Sequence, residues 1–226
     1  MRMQKAIIVG ASGAIGKALS DICERAGIAV VRLSRPEIDL TSEVSIAESA
    51  LKLQGQGLFD MIFVASGILH TDTIKPEKNM KQLDSQNLHT LFQINAVGPL
   101  LVLKHFVTLL DPKKRSIFAV LSARAGSISD NKLGGWYGYR ASKAALNMFL
   151  KTASIEYHRT HKELIIASLH PGTVDSLLSK PFQANVPKEE LFTPEFAAEK
   201  LLAVIQKLQP EDSGCLFGWD GKEIDP

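Results

Sequence analysis

The sequence predicts a single-domain α/β fold over residues 1–226, a doubly wound parallel sheet with helices on both faces. Three observations carry this. Short runs rich in Ile and Val alternate with longer amphipathic segments, and the runs are apolar almost throughout, as strands covered on both faces must be. A glycine-rich turn also joins the first run to the first amphipathic segment. The 226 residues suffice for one sizeable core, and no Pro/Gly/Ser-rich linker divides them.

The elements follow in order. A first strand over 5–9 (KAIIV) runs through the glycine turn into a helix over 15–26. A second strand over 29–33 precedes a helix over 44–53, and a third strand is expected over 60–65. The long helix over 83–110 should be interrupted near Gly98-Pro99, because proline removes a backbone donor. Strands over 116–121 and 164–169 flank a helix over 139–158, and a helix over 194–208 leads to a last strand near 215–218. The loops 67–80, 123–138 and 173–193 are long, and they follow strand C-termini, where such sheets place their sites. Residues 176–192, with Leu177, Leu178, Phe182, Val186 and Phe192, read as an apolar lid.

Charge excludes several functions. Net charge is +2, from 26 basic and 24 acidic residues, and the one basic cluster, Lys113-Lys114-Arg115, reads as a solvated turn. Neither nucleic acid nor an anionic membrane is an expected partner. No apolar run is expected to span a membrane, and the first strand begins too early for a signal peptide, so the expected setting is cytoplasmic. Cys23 and Cys215 are too far apart to suggest a metal or redox motif and read as reduced, buried thiols.

Two motifs carry chemistry. In the first, Gly10-Ala11-Ser12-Gly13-Ala14-Ile15-Gly16 follows a strand and opens a helix. Such a turn brings backbone N–H groups and the positive end of the helix to a pyrophosphate. An NAD site usually carries an acid at the end of the second strand, but here that corner reads Ser34-Arg35. A hydroxyl and a guanidinium suit a 2′-phosphate, which favours NADP(H) over NAD(H). Asp39 and Leu40 follow where an adenine would rest. The second motif is Tyr139-Arg-Ala-Ser-Lys143, in which a phenol and an ammonium share one helical face. The nearby cation should favour the ionised phenol and so help it exchange protons at neutral pH.

Together with Asn95 in INAVG and His170-Pro171-Gly172-Thr173-Val174, these motifs resemble the short-chain dehydrogenase/reductase family over nearly the whole chain. Within it, GGWYGYRASKAALNMF is similar to the branch of C-factor and sniffer-type carbonyl reductases. The resemblance implies a Rossmann fold and hydride transfer between a nicotinamide and a small carbonyl or alcohol substrate. It also implies that Tyr139 is the general acid/base and that Lys143 binds the nicotinamide ribose and lowers the phenol pKa. Asn95 would hold a relay water, Pro171, Gly172 and Val174 would shape the nicotinamide pocket, and the long helices would pair into a homodimer or homotetramer. Three departures stand out. Gly13 is one place early, with Ala14 in the usual glycine slot. Ala65-Ser66-Gly67 replaces most of an Asn-Asn-Ala-Gly segment. Ala123 falls where the catalytic serine belongs, leaving Ser122 as the best candidate, Ser127 as a weaker one, or no such group. A nucleotide-binding signalling protein with little turnover is therefore the alternative function. His170 reads as a satisfied structural histidine, and Trp219 as packing at a subunit contact or the cleft rim.

Overall fold

The computed structural model describes residues 3–226. Six strands form one parallel sheet: β1 (Lys5–Val9), β2 (Ala29–Leu33), β3 (Met61–Val64), β4 (Ser116–Leu121), β5 (Leu164–His170) and β8 (Leu216–Gly218). Their spatial order is β2-β1-β3-β4-β5-β8. Two short strands, β6 (Thr173–Val174) and β7 (Leu191–Phe192), pair separately in parallel. The predicted doubly wound α/β class is the observed one.

The apolar runs are buried on both faces because helices cover both. On one side α2 (Glu43–Leu53), α4 (Gly98–Phe106) and α5 (Tyr137–Tyr157) enclose alternate strand residues such as Ile7, Ile62, Phe118 and Ile166. On the other, α1 (Ala14–Arg25) packs on α6 (Pro194–Lys207) over Ile8, Phe63, Ala119 and Ile165. This period-two division explains why the strands show no polar face.

The long central helix differs from its predicted form. α3 (Ser85–Phe92) continues into α4 through a π-turn at Gln93–Val97, in which the Gly98 N–H bonds to the Gln93 carbonyl. Pro99 opens α4 and withholds the amide that an unbroken α-helix would offer the Asn95 carbonyl. The interruption therefore lies before Gly98. The continuous helix Ser85–Leu109 is also long and apolar enough, by length and composition, to cross a membrane, which corrects the sequence expectation. Half of its apolar window is covered by the fold, with Leu91, Val102, Leu103 and Phe106 buried. Cys23 is buried and Cys215 only half-buried, and both are free thiols.

Candidate active site

The β1–α1 turn explains two of its glycines by contact. Gly10 has φ +83°, and a Cβ there would lie 2.6 Å from Ser66 Oγ and 3.0 Å from the Ala65 carbonyl carbon. A Cβ on Gly16 would overlap the Gly10 carbonyl oxygen and sit 3.1 Å from Ala65 Cβ. The ends of β1 and β3 thus close on each other only because Gly10 and Gly16 lack side chains. Gly13 is under no such constraint, with φ −74° and its nearest neighbour 3.4 Å away. It is the N-cap of α1, which has no side-chain cap and no acid in its first turn. Ala14 and Ile15 begin the helix behind it, and Ser12 is exposed beside it. An uncapped helix N-terminus over a glycine-rich turn can accept the pyrophosphate of a dinucleotide.

At the end of β2, Arg32 is held by Asp21 at 2.6 Å and Glu24 at 2.8 Å, so it remains on α1. Ser34 is half-buried and Arg35 exposed, leaving Arg35 as the guanidinium that faces outward at this corner. The Asp39 carboxylate accepts from the Thr41 amide at 2.9 Å and the Thr41 hydroxyl at 2.8 Å. These bonds, with the Arg35 charge as a lesser cause, hold its pKa below the usual value. Leu40 is buried, and its carbonyl lies near Gly98 and accepts from Gln93 Nε2 at 3.3 Å.

The chemical centre lies where β3, the π-turn and α5 meet. A Cβ on Gly67 would be 3.3 Å from both Asn95 Oδ1 and Lys143 Nζ, so these residues form one cluster. Asn95 is fully buried. Its Oδ1 accepts from the Ile68 amide at 2.8 Å, and its Nδ2 donates to the Ile68 carbonyl at 2.8 Å and to Ser142 Oγ at 3.1 Å. Ser142 in turn donates to the Tyr139 carbonyl at 2.8 Å. The Asn95 side chain thus ties the β3 loop to the start of α5.

Lys143 is 3 % exposed, and its ammonium donates to the Leu121 carbonyl at 2.8 Å. Burial depresses its pKa to about 8. Burial likewise pushes the Tyr139 phenol up to about 12, with no contribution from Lys143. This corrects the expectation that the ammonium lowers the phenol pKa in the protein alone. One helical turn aligns the two side chains, but a buried cation first satisfies its donors on the nearest carbonyl.

The turn after β4 packs tightly on α5. A Cβ on Gly126 would lie 2.8 Å from Lys143 carbonyl carbon and Cβ, which fixes how this turn meets the helix. Ser122 is 5 % exposed and donates to Asn147 Oδ1 at 2.7 Å, while Ala123 follows it, also buried. Ser127 Oγ accepts from the Asp130 amide at 3.1 Å and lies 3.3 Å from Ser129 Oγ. Asn147 Nδ2 and His170 Nδ1 are buried without hydrogen-bond partners among the described residues. His170 is therefore not fully satisfied, and burial lowers its pKa to about 4, keeping the ring neutral.

Beyond β5, Pro171 and Gly172 turn the chain into β6. Gly172 has φ +76°, and a Cβ there would meet the Phe192 ring at 2.6 Å and Trp219 at 3.1 Å. Trp219 packs edge-on to Phe192 at 4.7 Å and beside Phe196 at 5.9 Å. Val174 is buried, and β6–β7 pairing clasps the two ends of the 176–192 segment. That segment reaches back to the site. Phe182 lies 5.0 Å from Trp136 and 5.7 Å from His70, and Trp136 lies edge-on to Tyr139 at 6.2 Å. His70 Nε2 donates to the Leu178 carbonyl at 3.1 Å, with the Leu177 carbonyl at 3.3 Å. Leu177 itself faces outward, 84 % exposed.

Sequence reading missed Ser142, Asn147, His70 and Glu77. Ser142 and Asn147 share α5 with the recognised pair, so their helical offsets were a usable signal. His70 and Glu77 lie in an irregular loop, where no periodicity assigns a contact.

The sequence pattern of the family described as short chain dehydrogenase matches residues 36–187, more than half of the chain. The protein belongs to the short-chain dehydrogenase family. Among its relatives in that family is the 1-hydroxy-2-glutathionyl-2-methyl-3-butene dehydrogenase of Rhodococcus sp. (strain AD45). That protein is 32 % identical over 199 residues, covering 87 % of this chain and 80 % of the relative. The C-signal protein of Myxococcus xanthus is 33 % identical over 142 residues, covering 63 % of this chain and 80 % of the relative. The NADPH-bound carbonyl reductase from chicken fatty liver superposes with a TM-score of 0.86 at 19 % identity, over 100 % of this chain and 95 % of that one. This last likeness establishes the fold, and the family membership establishes an oxidoreductase of the short-chain dehydrogenase type.

Proposed function

We propose that this short-chain dehydrogenase is an NADP(H)-dependent oxidoreductase acting on small carbonyl or alcohol compounds. The observation that carries the reading is the Gly67–Asn95–Lys143 cluster, whose Lys143 shares α5 with Tyr139, the ring that Trp136 and, behind it, Phe182 cover. The nicotinamide, when bound, supplies or accepts the hydride. In reduction, Tyr139 gives its phenolic proton to the substrate oxygen as the carbonyl carbon receives hydride, yielding the alcohol. Lys143 holds the nicotinamide ribose, and leaving the Leu121 carbonyl for that role brings its charge toward the phenol. Asn95 positions this corner through Ile68 and Ser142, and its backbone carbonyl, deprived of a donor by Pro99, holds the relay water.

Ser122 is the remaining candidate for polarising the carbonyl. Its bond to Asn147 supports a scaffold role instead, which would leave Tyr139 as the principal donor to the substrate oxygen. Gly10, Ser12, Gly13, Ala14, Ile15 and Gly16 cradle the pyrophosphate. Ala65, Ser66 and Gly67 flank it, and Asp39 and Leu40 border the adenine. Pro171, Gly172 and Val174 wall the nicotinamide.

Ser34 and Arg35 select the 2′-phosphate. Arg35→Ala is expected to raise the KM for NADPH about 10- to 100-fold with NADH little changed, since a charge-assisted contact contributes about 1.5–3 kcal/mol. Steady-state kinetics with both cofactors checks this, and equal use of NADH and NADPH by parent and variant alike overturns the assignment.

The outer face of α5 presents Tyr137, Ala141, Met148 and Ile155, with Met148 65 % exposed. This apolar stripe supports a homodimer or homotetramer. Light scattering should then give a multiple of the 24.7 kDa chain mass, and Met148→Lys should shift it downward; a parent at the single-chain mass refutes the assembly.

A further inference from the structure

We infer that Glu77 is a positioning residue that sets the start of α5 and thereby the placement of Tyr139 and its Trp136 neighbour; this rests on the proposed proton-donor role of Tyr139. Glu77 is 4 % exposed, and no Lys, Arg or His pairs with it among the described residues. A buried carboxylate without a cation persists only where donors hold it. Its donor is the head of α5: Glu77 Oε2 accepts from the Gly138 amide at 3.2 Å. The Glu77 backbone carbonyl accepts from the Trp136 amide at 2.5 Å.

These two bonds bracket the point where α5 begins. Trp136 is the N-cap and has φ 50° and ψ 43°, the one non-glycine residue with positive φ among those described. A side chain in that region is strained and stays there only when its surroundings hold it. Trp136 provides no side-chain cap, so Glu77, 61 residues before Gly138, does the capping in its place. The same arrangement directs the indole edge-on to the Tyr139 ring. Gly138 is a contact requirement of this lock, because a Cβ there would lie 2.9 Å from Glu77 Oε1 and 2.7 Å from Leu91 Cδ1. It also explains why α5 begins at Tyr137, two residues before its predicted start.

The test compares Glu77→Ala, Glu77→Gln, Gly138→Ala and the Glu77→Ala/Gly138→Ala double variant in the full chain. Tyr139→Phe is run alongside. Glu77→Ala and Gly138→Ala are each expected to lower kcat for NADPH-driven carbonyl reduction about 10- to 100-fold, the cost of a displaced reacting group. KM for NADPH and NADPH affinity by fluorescence titration should stay within about twofold. Glu77→Gln, which keeps the acceptor, should recover kcat to within about threefold of the parent. In the double variant the two losses should sum to less than additive, because they share the Glu77–Gly138 contact, while the added methyl still meets Leu88 and Leu91.

A Glu77→Ala protein with parental kcat overturns the inference, as does a loss of NADPH affinity parallel to the loss of kcat. If Glu77→Ala does not fold, Gly138→Ala decides, and parental kcat there overturns the inference. If Tyr139→Phe keeps its turnover, the proton-donor reading falls and this one with it. If Tyr139→Phe is inactive while Glu77→Ala is unimpaired, only the Glu77 inference falls.

Discussion

Carbonyl reduction by the Tyr139→Phe variant is expected to fall about 10²–10⁴-fold in kcat, the usual contribution of a positioned general acid. NADPH affinity should stay within about twofold, because the phenyl ring keeps its packing against Trp136. In the protein alone, burial holds the phenol near 12, well above neutrality. The proposed mechanism requires the Lys143 charge to come within reach once the cofactor binds. Reduction consumes the phenol's proton, so its rate should fall as pH rises through the phenol pKa of the complex. Oxidation needs the phenolate and should rise over the same interval. The Phe variant should lose both limbs. Stopped-flow and steady-state measurements of NADPH oxidation check this. A variant with parental turnover sinks the proton-donor role of Tyr139, whereas a parent that binds NADPH but shows no carbonyl reduction of its own sinks the enzymatic reading in favour of the signalling alternative.

Gly16→Ala should weaken nucleotide binding more than about tenfold by a change of one methyl group. The added Cβ overlaps the Gly10 carbonyl oxygen, a backbone atom that cannot swing aside as a side chain can. Either α1 lifts from the turn or the turn opens between β1 and β3, and each displaces the amides that would face the pyrophosphate. Overpacking of this kind costs about 1–3 kcal/mol of stability, or a melting temperature lower by about 2–10 °C for a chain of this size. NADPH affinity should drop more than about tenfold, since both the helix end and the turn amides move. Gly13→Ala is the internal control. Its φ is ordinary and its nearest neighbour is 3.4 Å away, so binding should change less than about twofold. Thermal melts and fluorescence titrations of both variants check the pair. Equal effects would show that the turn tolerates Cβ atoms at either place.

The contrast between these glycines shows where sequence reading ends. Gly10, Gly13 and Gly16 are equivalent in a motif, yet Gly10 and Gly16 are crowded by Ala65 and Ser66 beyond β3 and by the Gly10 carbonyl, and Gly13 is not. Ser122 gives a parallel case. A strand-end serine beside Ala123 is legible as a candidate, but that its proton goes to Asn147 depends on α5 lying over β4.

The alternation of apolar runs with amphipathic segments, the glycine turn and the Tyr139/Lys143 spacing are properties of neighbours along the chain. They were enough for the fold class, the order of elements and the family, because the periods of strand and helix are local. The partners of the buried polar groups were not legible: Lys143 with the Leu121 carbonyl, Asn95 with Ile68 and Ser142, and Glu77 with the first turn of α5. Each joins residues far apart in the chain, and a buried donor or acceptor bonds whatever the packed sheet and helices bring within about 3 Å.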